Sequence, residues 1–260
     1  MKLFILCLVL CLVCLFFTLP LLAQGGRETS QEIDDLWKFK NETTLNTTIL
    51  TGDSDSVTLG GEEKFVAKKK TVTNTFTSGV TYVRDHVFND AIPVKTASRD
   101  IFAKDKLLWE FYKRTYSYFG GGWLTNKTSG VDNQFDGFTG LGYKLLVLEK
   151  HNLNIEAGYR FEHQTTVVPT PDKRDSHNIA LGFDYLWQMT ESSSLENETD
   201  NLFDMESRDN INILSQTKLK VEIIKHLALS VGFKLRFDNT PVPTFKKWNT
   251  TSTTGLTLLF

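Results

Sequence analysis

Apolar and polar residues alternate along most of this chain. The clearest stretch puts Leu227, Leu229, Val231, Phe233, Leu235 and Phe237 on one face, and Ala228, Ser230, Gly232, Lys234, Arg236 and Asp238 on the other. A period of two residues is the pattern of a half-buried strand, not of a helix. Leu153, Ile155, Ala157, Tyr159 and Phe161 repeat it, as do Ile179, Leu181, Phe183, Tyr185 and Trp187. The alternation predicts twelve strands, over 36–50, 55–68, 71–85, 100–112, 115–125, 134–146, 153–164, 177–188, 193–203, 210–223, 227–238 and 248–260. The ninth has the faintest signal, because its residues are nearly all polar.

The gaps between these strands alternate as regularly as the faces do. Long connections are expected around 52–54, 87–99, 126–133, 165–176, 204–209 and 239–247. Tight ones are expected at Lys69-Lys70, Lys113-Arg114, 149–152, 189–192 and 224–226. Pro93, Pro169, Pro171, Pro241 and Pro243 all fall in long gaps, where no ladder donor is lost. A soluble sandwich has no reason to alternate short with long. An up-and-down membrane barrel does, with short turns on the periplasmic side and long loops outside. Strand length agrees: the predicted strands exceed the usual soluble length of about 5–6 residues and suit a tilted crossing of about 9–11 or more. Aromatic residues gather toward strand ends (Trp37, Tyr82, Trp109, Phe111, Tyr112, Trp187, Phe237, Trp248 and Phe260), where interfacial girdles form. The expected fold is therefore all-β, an up-and-down antiparallel transmembrane barrel of twelve strands, with both termini periplasmic in a bacterial outer membrane.

Composition changes the picture at one end. The overall hydrophobic fraction of 40% is inflated by residues 1–23. Lys2, an apolar run over 3–17, Pro20 and the small Ala23 have the layout of a secretory signal peptide cleaved after Ala23. The domain order expected is a signal peptide at 1–23, a polar lead-in at 24–35 and the barrel at 36–260. The three cysteines, Cys7, Cys11 and Cys14, all lie in the leader, which excludes a disulfide scaffold or thiolate chemistry in the body. A net charge of −2 gives no electrostatic case for nucleic acid.

The final strand reads Thr253-Thr254-Gly255-Leu256-Thr257-Leu258-Leu259-Phe260. Thr253, Gly255, Leu258 and Phe260 fill the places of the C-terminal signal read by the barrel assembly machinery, which it resembles. Elsewhere stand Trp37 opening the first strand, Thr51-Gly52-Asp53-Ser54 closing it, Phe138-Thr139-Gly140-Leu141-Gly142-Tyr143-Lys144-Leu145, Leu153-Asn154-Ile155-Glu156-Ala157-Gly158-Tyr159 and Phe237-Asp238-Asn239-Thr240-Pro241. With these features the chain from Leu36 to Phe260 resembles the domain-of-unknown-function family 481, whose members are labelled salt-induced outer-membrane proteins. Asp53 and Ser54 depart from the Asn-Thr usual at that turn. The resemblance implies a barrel and a salt or osmotic setting, and it brings no activity, cofactor or site.

Chemistry-bearing motifs are sparse. Gly140-Leu141-Gly142 lacks a third glycine and a following helix, so it reads as a strand with close backbone packing and not as a dinucleotide loop. His86, His151, His163, His177 and His226 have no ligand spacing, and Ser176 and His177 point to opposite faces of their strand. No catalytic, cofactor or metal residue is assigned, and a hydrolase is not expected. Function is expected in the lumen, with candidate lining residues Glu63, Lys104, Lys106, Glu110, Glu156, Arg160, Glu162, Asp184, Lys218, Lys220, Glu222, Lys234, Arg236 and Asp238. Acids and bases balance in this set. That suits either a salt-bridged plug, giving an envelope-structural protein, or a narrow channel for small polar or ionic solutes. The alternative is an adhesion or ligand-binding barrel using the long loops. The expected partners are outer-membrane lipids, the assembly machinery and small ions or polar solutes.

Overall fold

The computed structural model describes residues 36–50, 54–87, 94–126, 131–166, 173–207, 209–241 and 247–260. The expected leader and lead-in, and the tips of most of the expected long loops, lie outside the described residues. Twelve strands run in order: β1 Lys38–Leu50, β2 Ser54–Lys69, β3 Val72–Val87, β4 Val94–Tyr112, β5 Thr115–Asn126, β6 Val131–Val147, β7 His151–Thr166, β8 Lys173–Gln188, β9 Ser193–Asp204, β10 Ile211–Ile224, β11 Leu227–Asp238 and β12 Trp248–Leu259. Each pairs antiparallel with the next, and β12 returns to β1 through Thr43–Leu258 and Leu45–Leu256 to close the barrel. Closure matters in a bilayer, because an open edge would leave backbone groups without partners in hydrocarbon at several kcal/mol each. The polar β9 forms as expected, since its ladders to β8 and β10 need only backbone groups.

The sidedness is inverted relative to a soluble protein. Leu45, Leu59, Leu141, Ile179, Leu181, Val231, Phe233 and Leu256 are exposed on the outer surface, whereas Glu42, Thr44, Gln134, Asn178, Lys220 and Thr257 are buried inside. Such a surface is stable only where hydrocarbon replaces water outside. Exposed aromatic residues mark both rims. Trp37, Phe39, Trp109, Phe111, Tyr112, Trp187 and Phe260 stand at the tight-turn end, and Tyr82, Phe135 and Trp248 at the other.

The tight turns follow β2, β4 and β10. Lys70 (φ 48°), Lys113 (φ 25°) and His226 (φ 70°) each adopt the left-handed region there, a conformation that a reversal of so few residues requires. At the opposite end the strands outrun their expected bounds. The β3–β4 ladder continues to Val87–Val94 and the β7–β8 ladder to Thr165–Lys173. The connections expected at 87–99 and 165–176 are shorter for that reason. Above the hydrocarbon a ladder needs no apolar face, so alternation stops marking a strand before the strand itself ends.

Candidate functional site in the barrel lumen

The ladders decide which side chains share the lumen. Starting from Lys234 on β11, the register aligns Gln216, Lys218 and Lys220 of β10 with Lys234, Gly232 and Ser230, all facing in. Carried round the wall, it places Glu196, Glu198 and Asp200 of β9, Asp184 of β8, Glu156, Arg160 and Glu162 of β7, Asp136 of β6 and Lys104, Lys106 and Glu110 of β4 inside. Glu222, Arg236 and Asp238 also face in, Glu222 toward the tight turn and the other two toward the loop end. Glu63 does not join them. It pairs with Thr43 and Ser78 in an outward row, so the expected inward acid of β2 is its neighbour Glu62. A shift of one residue in reading the alternation moves a side chain to the other face. The run Gly60-Gly61-Glu62-Glu63, with no apolar residue, gave no signal to fix it.

The wall from β4 to β8 is bulky. Tyr116 and Tyr118 of β5 are buried and lie flat across neighbouring strands, and glycines make this possible. A Cβ on Gly142 would come within 2.2 Å of the Tyr116 ring, and one on Gly140 or Gly158 within 2.6 Å of the Tyr118 hydroxyl. The glycine pair in Gly140-Leu141-Gly142 is thus a seat for two tyrosines. On this platform sit three cations. Lys106 Nζ lies 4.8 Å from the Tyr118 ring centre, and Lys104 and Arg160 lie 5.3 and 5.4 Å from that of Phe138, each within cation–π range.

Each of these cations is held by acids, most of them from other strands. Lys106 donates to both Glu156 oxygens at 2.6 and 2.7 Å, and the Tyr116 hydroxyl donates to Glu156 at 3.0 Å. Arg160 donates to Asp136 Oδ2 through Nε (3.2 Å) and Nη2 (3.0 Å), with Glu162 at 3.7 Å and Asp200 at 3.8 Å. Lys104 reaches from β4 to β9, where Glu198 stands at 3.8 Å and Asp200 at 4.0 Å. On the other side Lys218 pairs with Glu62 at 3.1 Å, and Lys220 pairs with both Glu42 and Glu196 at 2.7 Å. Asp184 lies in the ladder between Asn154 and Glu198. Pairs such as Lys104–Glu198 and Lys218–Glu62 join strands far apart in the barrel, so the lumen has a charged waist.

The waist does not fill the lumen. The inner faces of β3, β11 and β12 carry small side chains, among them Thr75, Thr77, Gly79, Ser230, Gly232, Thr253 and Gly255. Glu198 points inward yet its side chain is 61% exposed, and Lys234 is exposed as well. Water therefore reaches the charged groups beside the cross-lumen pairs. Alternation alone did not single out Tyr116, Tyr118, Asp136, Phe138, Glu42, Glu62, Glu198 or Asp200. For β9 the signal was present as Glu196, Glu198 and Asp200 at every second position, but an all-polar strand hides which face is the inner one.

Two further placements bear on chemistry. Ser176 faces in and its hydroxyl accepts from Asn178 at 3.1 Å, whereas His177 faces out against Tyr159 and Phe161. They form no Ser–His pair. Of the residues matched to the assembly signal, Thr253 and Gly255 face the lumen, and Leu258 lies on the outer surface opposite Thr43. Phe260 stacks on His226 with ring centres 6.0 Å apart.

The fold has solved counterparts. The chain is similar to the translocator domain of the autotransporter NalP from Neisseria meningitidis, with a TM-score of 0.52 and 9% identity over 85% of this chain and 88% of that one. It is also similar to the NanC porin, with a TM-score of 0.50 and 6% identity over 86% of this chain and 100% of the other. At these identities the likeness is one of fold: a bacterial outer-membrane barrel. No curated relative matches the sequence significantly. Residues 35–260 match the family described as protein of unknown function, DUF481, and the chain belongs to that family.

Proposed function

We propose that this protein is a narrow outer-membrane channel for small polar or ionic solutes, oriented with its tight turns and both barrel termini toward the periplasm. One observation carries the reading: Glu198 faces into the barrel and is open to water beside the Lys104–Glu198 pair that spans it. A filled barrel would bury that carboxylate, because an ionised group is costly to leave without water or close partners. The NanC porin, whose name states a porin, shares the architecture and supports the same reading. The waist of facing acids and bases would screen solutes by size and charge, as rings of charged side chains do in other pores.

Planar-bilayer recording tests this. The purified barrel should give small stepwise conductances, and the Lys104→Ala/Glu198→Ala variant, which removes the cross-lumen pair, should give larger ones. A folded, heat-modifiable barrel that stays silent in both forms would make the protein a salt-bridged structural element of the envelope instead.

A further inference from the structure

The waist pairs most of the inward charges, and two that it leaves out stand together. Lys234 and Arg236 occupy consecutive inward positions of β11, about 7 Å apart along the strand. Among the described residues neither makes an ion pair or a hydrogen bond. Lys64, on the inner face of β2 between Glu42 and Thr77, is likewise without either. The acids of the waist are engaged by contrast: Glu42, Glu62, Glu156 and Asp136 each hold a cation at 3.1 Å or less. Three inward acids without an ion pair stand elsewhere. Glu222 lies toward the tight turn, Asp184 lies on the bulky wall, and Asp238 accepts the backbone N–H of Thr240 at 2.9 Å at the loop end.

Exposure along β11 marks how far water comes down from the loop end. Lys234 is exposed and Arg236 half-buried, whereas Gly232, Ser230 and Ala228 below them are buried. Gly232 stands opposite Lys218, whose bond to Glu62 closes the way along this wall. The neighbours of Lys234 in its ladder row are open as well. Thr251 of β12 is exposed, and the half-buried Gln216 of β10 links Lys234 to the water-open Glu198. Lys234 and Arg236 therefore stand at the floor of a vestibule open to water from the loop side.

We infer that Lys234 and Arg236 form a binding station for small monovalent anions and that this station makes the pore anion-selective, an inference that rests on the channel reading above. Two like charges this close repel, and an anion between them removes the repulsion while being attracted by both. Gln216 and Thr251 flank Lys234 with an amide and a hydroxyl, neutral donors that an anion accepts from. Glu198, the acid on the same row, already faces Lys104 at 3.8 Å, so its charge is opposed. Lys64 adds a third charge of the same sign on β2. Low-dielectric walls focus the field of these cations along the lumen, which raises the local concentration of anions and lowers that of cations.

Reversal potentials of the purified barrel in planar bilayers, under a potassium chloride gradient, test the inference. The salt is kept near 0.1 M, where the screening length is about 10 Å. Wild type should pass chloride in preference to potassium. Lys234→Gln/Arg236→Gln should bring the permeability ratio to unity or reverse it. Lys173→Gln, which removes an exposed cation from the outer face of β8, should leave the ratio as in wild type. A conducting barrel that prefers potassium, or has no preference, overturns the inference and leaves the channel standing. So does an anion preference that the double variant retains, or that Lys173→Gln abolishes as fully. If the double variant does not fold, Lys234→Gln alone decides by the same ratio, which should fall. A silent wild-type barrel removes the inference, and removes the channel reading with it when the Lys104→Ala/Glu198→Ala form is silent too.

Discussion

Glu156 and Glu63 are carboxylates on opposite sides of one sheet, and their surroundings could hardly differ more. Glu156 faces the lumen, its side chain is 9% exposed, and Lys106 from β4 and Tyr116 from β5 converge on it. Glu63 faces out and has Thr43 from the adjacent strand. Curvature is the cause. On the concave side of a closed barrel, side chains from distant strands point toward one another, so charges find partners across the lumen. On the convex side they diverge, and only a cross-strand neighbour or another molecule can reach them. An inward charge is therefore satisfied by the fold itself, while an outward one depends on what lies against the barrel.

The sharpest way to break this contrast is to add an outward charge with no neighbour at all. Leu229→Arg should cost about 3 kcal/mol, whereas removing an inward charge at the open wall, Lys234→Ala, should cost no more than about 0.5 kcal/mol. Urea unfolding in lipid vesicles, read by tryptophan fluorescence, measures both, and equal losses would mean that the faces are assigned wrongly. Next comes the acid pair itself. Glu156→Leu strands Lys106 and Tyr116 in a poorly hydrated corner and should cost about 2 kcal/mol. Glu63→Leu, assayed in a monomeric barrel surrounded by lipid, should instead gain up to about 1 kcal/mol. The same sign for both substitutions would remove the distinction. Glycines sharpen it further at similar or smaller size. Gly142→Ala drives a methyl into the buried Tyr116 ring and should cost about 2 kcal/mol, while at the outward Gly137 a methyl meets nothing within 4 Å and Gly137→Ala should change stability by less than about 0.5 kcal/mol.

Strand number, order and closure were legible because alternation is strong wherever one face meets hydrocarbon, as along Leu227 to Phe237. The face of a residue was legible for the same reason on β7, β8 and β11, and illegible at Glu63, where glycines and paired acids offer no apolar reference. The waist was legible only in part. Arg160, Lys106 and Glu156 follow from their strands alone, but their partners depend on which strands face each other across the barrel, and that distance of many residues leaves no local mark. The seats at Gly140, Gly142 and Gly158 were readable as close packing, though not as packing against Tyr116 and Tyr118, because an aromatic on the adjacent strand reaches them only through the β5–β6 register.

A further small change in stability is expected on the outer surface at its tight-turn rim. Phe260 is exposed, stacks on His226, and exchanges backbone hydrogen bonds with Asn41, its N–H donating to Asn41 O at 2.9 Å and its carbonyl accepting from Asn41 N at 2.8 Å. Substitution by alanine keeps both backbone bonds and loses one aromatic contact at the interface. Phe260→Ala should therefore lower the stability of the refolded barrel by less than about 1 kcal/mol. Its effect in cells should be far larger, because Thr253, Gly255, Leu258 and Phe260 together resemble the signal that the assembly machinery reads, and delivery is a kinetic step that precedes any stability measured afterwards. The check is a pair of measurements on one variant: heat-modifiable migration after refolding in lipid, expected to match wild type, and abundance in isolated outer membranes, expected to fall sharply. Normal abundance would reduce residues 253–260 to an ordinary closing strand. A refolded barrel that melts as easily as Leu229→Arg would instead show that β12 owes its place to this one ring.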